Sequence, residues 1–430
     1  MLPTSSYNQP SRNAGRLLNC YAIAGTAKGP VEIVGTPGVS TFRTLTGGGR
    51  GLAVQDGVLY ALAGTSLYRV SDGAPVGEIP GTASVMFAPG VTQLVTDNGY
   101  IFDGSVSQIT DADKPAWSAV DFVDGYVVYV ESDSGRFGAS ALNDASDYSA
   151  LDYATAEGSP DKLVTLKVDH RQVALFGTDS VEIWWNSGQA GFPFERVASG
   201  YIEIGCLARL GVTKADNSLF WLASDRTIRR LSGSTPVKVS QIGVEEKLAS
   251  YATVSDCEAY SFTWNGTVHV CFRFVSQGIT WCYSVNSGEW WESDADWVTA
   301  IHHDGKVWIQ STDGSVGYLT DDVYTHFGAN VIREVTFPNI AKGEERLFHS
   351  RFRAIFRTGD VDPGITPMVQ LDISDDGGNQ WVQLPPRSMG LTGKYRHVVE
   401  WHRLGAARDR CYRLRVSDAV PFYLVGAEAS

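Results

Sequence analysis

Residues 374–381, SDDGGNQW, set Ser374, Asp376, Gly378 and Trp381 in the Ser-x-Asp-x-Gly-x-x-Trp pattern of an Asp box. The pattern recurs in sialidases and other glycan-cleaving β-propellers, so the chemistry to weigh first is hydrolysis of a sugar. The box itself argues for less. Its Asp accepts backbone N–H groups and its Trp packs beneath, which ties down a tight hairpin. Sialidase catalysis comes from elsewhere, from an arginine cluster, an acid/base Asp and a Tyr nucleophile. Here a single box stands outside the repeats, with Gln380 in the usual Thr place. The expected role is a structural hairpin.

The same stretch approaches a calcium loop, with Asp372, Ser374, Asp376 and Gly377 in order, but the twelfth position needs a bidentate Glu and holds Gln383. His302-His303-Asp304 offers metal-ligand types at a strand end, where adjacent side chains point to opposite faces. A solvated turn is expected there. His170, His349, His397 and His402 have no partner at ligand or triad spacing, and the chain lacks GxSxG, HExxH and GxxxxGK[ST]. The glycine-rich run 47–51 has neither the Lys nor the helix of a phosphate loop. Six scattered cysteines form no CxxC pair. One register across the turn at 276–278 would set Cys271 opposite Cys282; buried thiols are favoured over a disulfide in a reducing compartment. Aromatic clusters at 182–185, 220–222, 290–292 and Trp297 suit sugar platforms, or, more simply, the wedge between propeller blades. No catalytic residue, cofactor or metal is expected.

The elements that would position these residues follow from composition and repetition. Charged residues make up 19%, below the ~25% usual for soluble domains, while Gly reaches 45 copies and Trp 12. Short strands with tight turns are implied. Net charge is −13, split as −15 over residues 1–340 and +2 over 341–430. An acidic body disfavours a sequence-reading DNA binder, because such affinity comes mostly from cations that displace counterions. A wall past which DNA slides is compatible with it. The N-terminus shows no basic segment followed by an apolar one, and no apolar run reaches the ~18 residues of a membrane span; a soluble protein made in a cytoplasm is expected.

One local phrase repeats: strand, Gly/Asp/Asn turn, strand. Copies run at 52–70, 88–104, 119–132, 166–185, 211–233, 261–285 and 300–319, and their DG, NG and DN pairs suit turns with positive φ. The spacing of about 35 to 50 residues is that of propeller blades. Six or seven blades are predicted, with 30–45 supplying the strand that closes the last. The best helix candidate is 243–252. After residue 341 the pattern becomes that of a small β-sandwich. The fold class is therefore all-β: an N-terminal arm (1–29), a β-propeller (30–335) and a C-terminal β-sandwich-like domain (336–430).

A more specific likeness lies in longer blocks. SGRFGASALNDASDYSALDYATAEGSPDKLVTLKVDHRQVALFGTDSVEIWWNSG (134–187), FPFERV (192–197), IEIGC (202–206) and DNSLFWLA (216–223) occur with NAGRLLNCYA (13–22), GTPGVSTF (35–42) and QITDADKP (108–115). Together they resemble the packaged-DNA stabilisation protein, or tail nozzle, of short-tailed bacteriophages, continuously over about 13–240. The ending at 400–418 extends the likeness toward the C-terminus. The resemblance implies a structural virion protein that forms a hexameric ring below the portal and its adaptor ring. A tail needle, or a gate in the nozzle itself, closes its channel, and tailspikes or fibres are neighbours. Without the protein, packaged DNA leaks. The alternatives are a receptor- or glycan-binding tail module and a sialidase-like enzyme.

Overall fold

The computed structural model describes residues 2–3, 15–25, 30–359 and 365–430. Seven four-stranded blades account for most of them. They span 49–78, 87–108, 117–155, 163–202, 212–238 and 257–293, and the seventh combines 297–320 with Gly38–Thr44. The first strand of each blade touches the first strand of the next, and that of the seventh touches that of the first, so the ring is complete. Closure uses the N-terminal segment as anticipated: Gly38–Thr44 pairs antiparallel with Ser315–Thr320 as the outer strand of the seventh blade. The expected helix is present at Ile242–Ser250.

The repeated turn chemistry explains the repeated blade. Between first and second strands, the pairs Asp56-Gly57, Asp124-Gly125, Asp216-Asn217, Asn265-Gly266 and Asp304-Gly305 all adopt positive φ at both positions. This is the type I′ geometry whose twist matches that of the flanking strands. A sixth turn, His170-Arg171, adopts it without Gly or Asn (φ 49° and 62°). Contacts to neighbouring blades hold it there: Arg171 Nε donates to Asp124 Oδ1 at 2.7 Å, and the His170 ring meets Asn217. Of the seven hydrophobic clusters among the described residues, six lie between neighbouring blades, as a stack of half-buried sheets requires, and the largest joins the sandwich core to the sixth and seventh blades. The aromatic runs supply this wedge. Trp221, Trp290, Trp291 and Trp297 are buried, and only Trp185 of the 182–185 run is exposed.

The sandwich is built from both ends of the chain. One sheet orders Cys20–Ala24, Val31–Gly35, Tyr423–Ala429, Arg351–Phe356 and Val399–His402. The other contains Arg333–Thr336, Asp409–Val416, Met368–Ser374 and Val382–Gln383, and it does not stop at the domain edge. Arg16–Leu18 pairs antiparallel with Arg333–Thr336 and parallel with the outer strand of the sixth blade, making one continuous sheet. The sheets therefore divide the chain differently from an arm at 1–29 and a propeller from 30. Residues 16–24 and 31–35 are sandwich strands, because Leu17, Cys20, Tyr21 and Ile33 need burial that the sandwich core provides. Residues 1, 4–14 and 26–29 of the proposed arm lie outside the described residues.

Candidate functional surfaces

The Asp box forms the hairpin its residues dictate. Asp376 Oδ1 accepts from the backbone N–H groups of Asn379 and Gln380, each at 2.9 Å, and from Ser374 Oγ at 2.8 Å. Ser374 Oγ in turn accepts from Gly378 N at 2.9 Å. These bonds hold the Asp376 carboxyl below the usual range, the Gln380 N–H contributing most. Trp381 closes the loop through Nε1 to Gly378 O (3.0 Å), with the Arg413 guanidinium 4.2 Å from its ring centre. The side-chain hydrogen bonds of Ser374, Asp376 and Trp381 all fall within the loop itself. The calcium reading meets a specific obstacle, since the buried Asp372 carboxylate is neutralised by Arg413 and Arg415, each at 2.7 Å.

The histidines are separated by the fold. His302 accepts from Thr263 N in the neighbouring blade (3.1 Å), whereas the His303 carbonyl accepts from Trp308 Nε1 (3.1 Å). His349 Nδ1 lies 2.8 Å from the Tyr412 hydroxyl, His397 Nε2 meets Ser388 O at 2.9 Å, and His402 pairs with Glu400. Among the described residues no group of three or more His, Cys, Asp or Glu side chains is placed to share a metal ion. Cys271 and Cys282 are direct cross-strand partners, as the turn register suggested, and both are buried free thiols. Burial pushes the Cys282 thiol well above its usual value, so it is a poor nucleophile.

Two features had no signal in the sequence. The first is His269, fully buried between Tyr21, Phe262 and Trp291. Its Nδ1 accepts from Trp291 Nε1 and Ser284 Oγ, at 3.3 and 3.2 Å, and burial pushes its pKa down to about 3. The second is Arg209, which precedes the fifth blade yet reaches across the propeller axis. Its guanidinium forms an ion pair with the buried Asp97 of the second blade. It also donates to the carbonyls of Ser84 (3.0 Å) and Ser118 (3.4 Å), ahead of the second blade and in the third. Burial pushes the Arg209 pKa down, and the field of Glu258 in the sixth blade opposes that shift. One side chain thus links opposite sides of the ring and obstructs its central hole. No sequence spacing marks a pair 112 residues apart.

A further ladder of charge crosses the joint between the domains. Arg16 bridges Glu292 of the sixth blade and Glu334 of the sandwich, and Arg413 continues from Glu334 to Asp372. Burial pushes the Glu292 carboxyl up despite Arg16. With the continuous sheet, this pairing makes the joint stiff.

The class the fold defines is a seven-bladed propeller spliced through a shared sheet to a β-sandwich, with the Asp-box side chains spent on their own loop. Family models give the particular kind. The model described as "Bacteriophage P22 Gp10, beta-propeller" matches residues 19–321, and that described as "Bacteriophage P22 Gp10, beta-sandwich" matches residues 333–430. The chain belongs to the bacteriophage P22 Gp10 family: it is a packaged-DNA stabilisation or tail nozzle protein, a component of the virion tail and not an enzyme. No curated protein matches the chain. Among solved structures, the computationally designed Ika8 protein is 16% identical, with 74% of this chain and 99% of that one covered and a TM-score of 0.40. BamB from Moraxella catarrhalis is 13% identical, covering 70% and 96%, also with a TM-score of 0.40. PorZ of Porphyromonas gingivalis is 12% identical over 80% of this chain and 46% of its own, again at 0.40.

Proposed function

We propose that six copies of this protein form a nozzle ring below the portal and adaptor ring. The ring closes the filled head to retain packaged DNA, then serves as the channel for ejection. The observation that carries the reading is the obstructed propeller axis. With Arg209 bridging to Asp97, Ser84 and Ser118 across the hole, DNA has no path through one copy, so any conduit lies between copies. Identical wedges close a ring only through heterologous contacts, and the stiff joint suits such wedges. The net charge of −15 over residues 1–340 suits a wall that repels the phosphate backbone during transit. The partners in this reading are the adaptor ring, a tail needle and tailspikes or fibres, with assembly in the cytoplasm of the host bacterium. DNA passes without sequence-specific binding.

Imaging of intact tails by electron cryomicroscopy tests this. A sixfold ring surrounding an axial channel, with no DNA density inside any propeller hole, is the expected result. Density threading a propeller, or single copies placed peripherally beside another ring, would overturn the proposal.

A further inference from the structure

The described sheets leave two blades with long free edges. The outer strands of the first, second and fifth blades have four, three and four residues, that of the sixth is covered by Arg16–Leu18, and that of the seventh is met at its outer edge by Thr325–His326. In the fourth blade the outer strand, Phe194–Ile202, has nine residues. The outer strand of the third, Asp144–Thr155, is the longest described strand at 12 residues and ends its sheet. Long edges in monomers are normally blunted by Lys, Pro or covering loops. This strand has neither Lys nor Pro; two register shifts leave residues 149–152 out of its ladder, and it presents Leu151 at 83% exposure and Tyr153 at 40%, the latter beside Arg136. Asp147, Asp152 and Glu157 stand along or just past it, and none is ion-paired among the described residues. No Lys or Arg occurs from 137 to 161.

The opposite character appears on the sandwich. Residues 384–399 contain Arg387, Lys394 and Arg396 and no carboxylate. All three cations are exposed and none is ion-paired among the described residues. Beside them Leu391 and Tyr395 are exposed, at 47% and 66%. The sandwich is spliced onto the sixth blade, three places round a seven-blade ring from the third. The acidic, apolar edge and the basic, apolar patch therefore lie on different domains, as the two distinct surfaces of a head-to-tail contact must.

We propose that the Asp144–Thr155 edge of one copy docks on the Arg387/Leu391–Arg396 patch of the next copy of this chain. Leu151 and Tyr153 meet Leu391 and Tyr395, and the opposite charges neutralise each other. The inference rests on the ring reading above and assigns its contact.

Charge reversal separates the two. In phage carrying Asp147→Lys with Asp152→Lys, or Arg387→Glu with Arg396→Glu, like charges face each other, and nuclease-resistant filled heads should fall at least tenfold, equivalent to about 1.4 kcal/mol of contact energy. Co-expressing the two variants should restore them, because an even-membered ring can alternate the two kinds with attraction at every contact. Leu151→Cys with Leu391→Cys adds a direct readout, since the six native cysteines are buried. A bismaleimide should cross-link this double variant into a ladder ending at six in assembled tails, and neither single variant. Variants that fold with parental thermal midpoints but are not rescued by co-expression would overturn the contact. So would reversals that leave filled heads unchanged. A closed amine-cross-linked ring in parental tails would then keep the ring reading alive, and parental tails containing only monomers would sink both.

Discussion

At the scale of single residues, the side chains that look chemical are mostly structural, and the consequential ones are inconspicuous. His269 is fully buried and His326 half-buried, and both are neutral, with pKa values pushed down to about 3 and about 4 chiefly by loss of solvent. As pH falls below the ordinary histidine value of 6.5, only the unfolded chain takes up these protons, so the stability present at neutral pH is lost progressively toward pH 4. By linkage each histidine forfeits about 2 kcal/mol between pH 7 and pH 5. His269→Phe should flatten the fall of the thermal midpoint over that interval by about half, as followed by circular dichroism. A profile as steep as the parent's would show that His269 is solvated or already charged. For the Asp box, Asp376→Ala and Trp381→Ala should lower the melting temperature yet leave DNA retention intact at permissive temperature. Loss of retention in a variant that stays folded would give the hairpin a functional role. The box was legible in the sequence because its partners lie within eight residues. His269 was not, because Tyr21 and Trp291 approach it only through tertiary packing.

At the scale of elements, legibility follows the same division between local and distant partners. Blade hairpins announce themselves because a two-residue turn with positive φ at both positions selects Asp, Asn and Gly. His170-Arg171 uses the geometry without the signature, held by Asp124 and Asn217 of adjacent blades. The closing strand was readable as a strand without a blade of its own. The destination of residues 16–24 and 31–35 was not: their apolar pattern predicts burial, but nothing local says that Arg16 will face Thr336 or that Val34 will face Tyr423. Closure also depends on close approach. A Cβ on Gly38 would overlap the Val323 carbonyl at the start of the closing strand. Gly38→Val should therefore cost about 3 kcal/mol through overpacking and lower the midpoint of chemical unfolding. Parental stability would mean that the strand does not close the seventh blade in solution.

For the whole molecule, the account joins a stiff two-domain wedge, an obstructed propeller axis, an acidic body and complementary ends into one part of a ring that holds DNA. The charge asymmetry and the repeat were visible from the residues. The obstruction of the axis was not, since Arg209 and Asp97 are far apart in the chain and meet only because seven blades close. The central claim is that this protein keeps packaged DNA in the head. The most direct test uses phage whose gene for this chain carries an early nonsense codon, with purified heads challenged by nuclease before and after the protein is supplied back. Heads that fill, lose their DNA to nuclease and retain it once the protein is restored are the predicted result. Heads that hold their DNA without the protein, while only host attachment fails, would contradict the account.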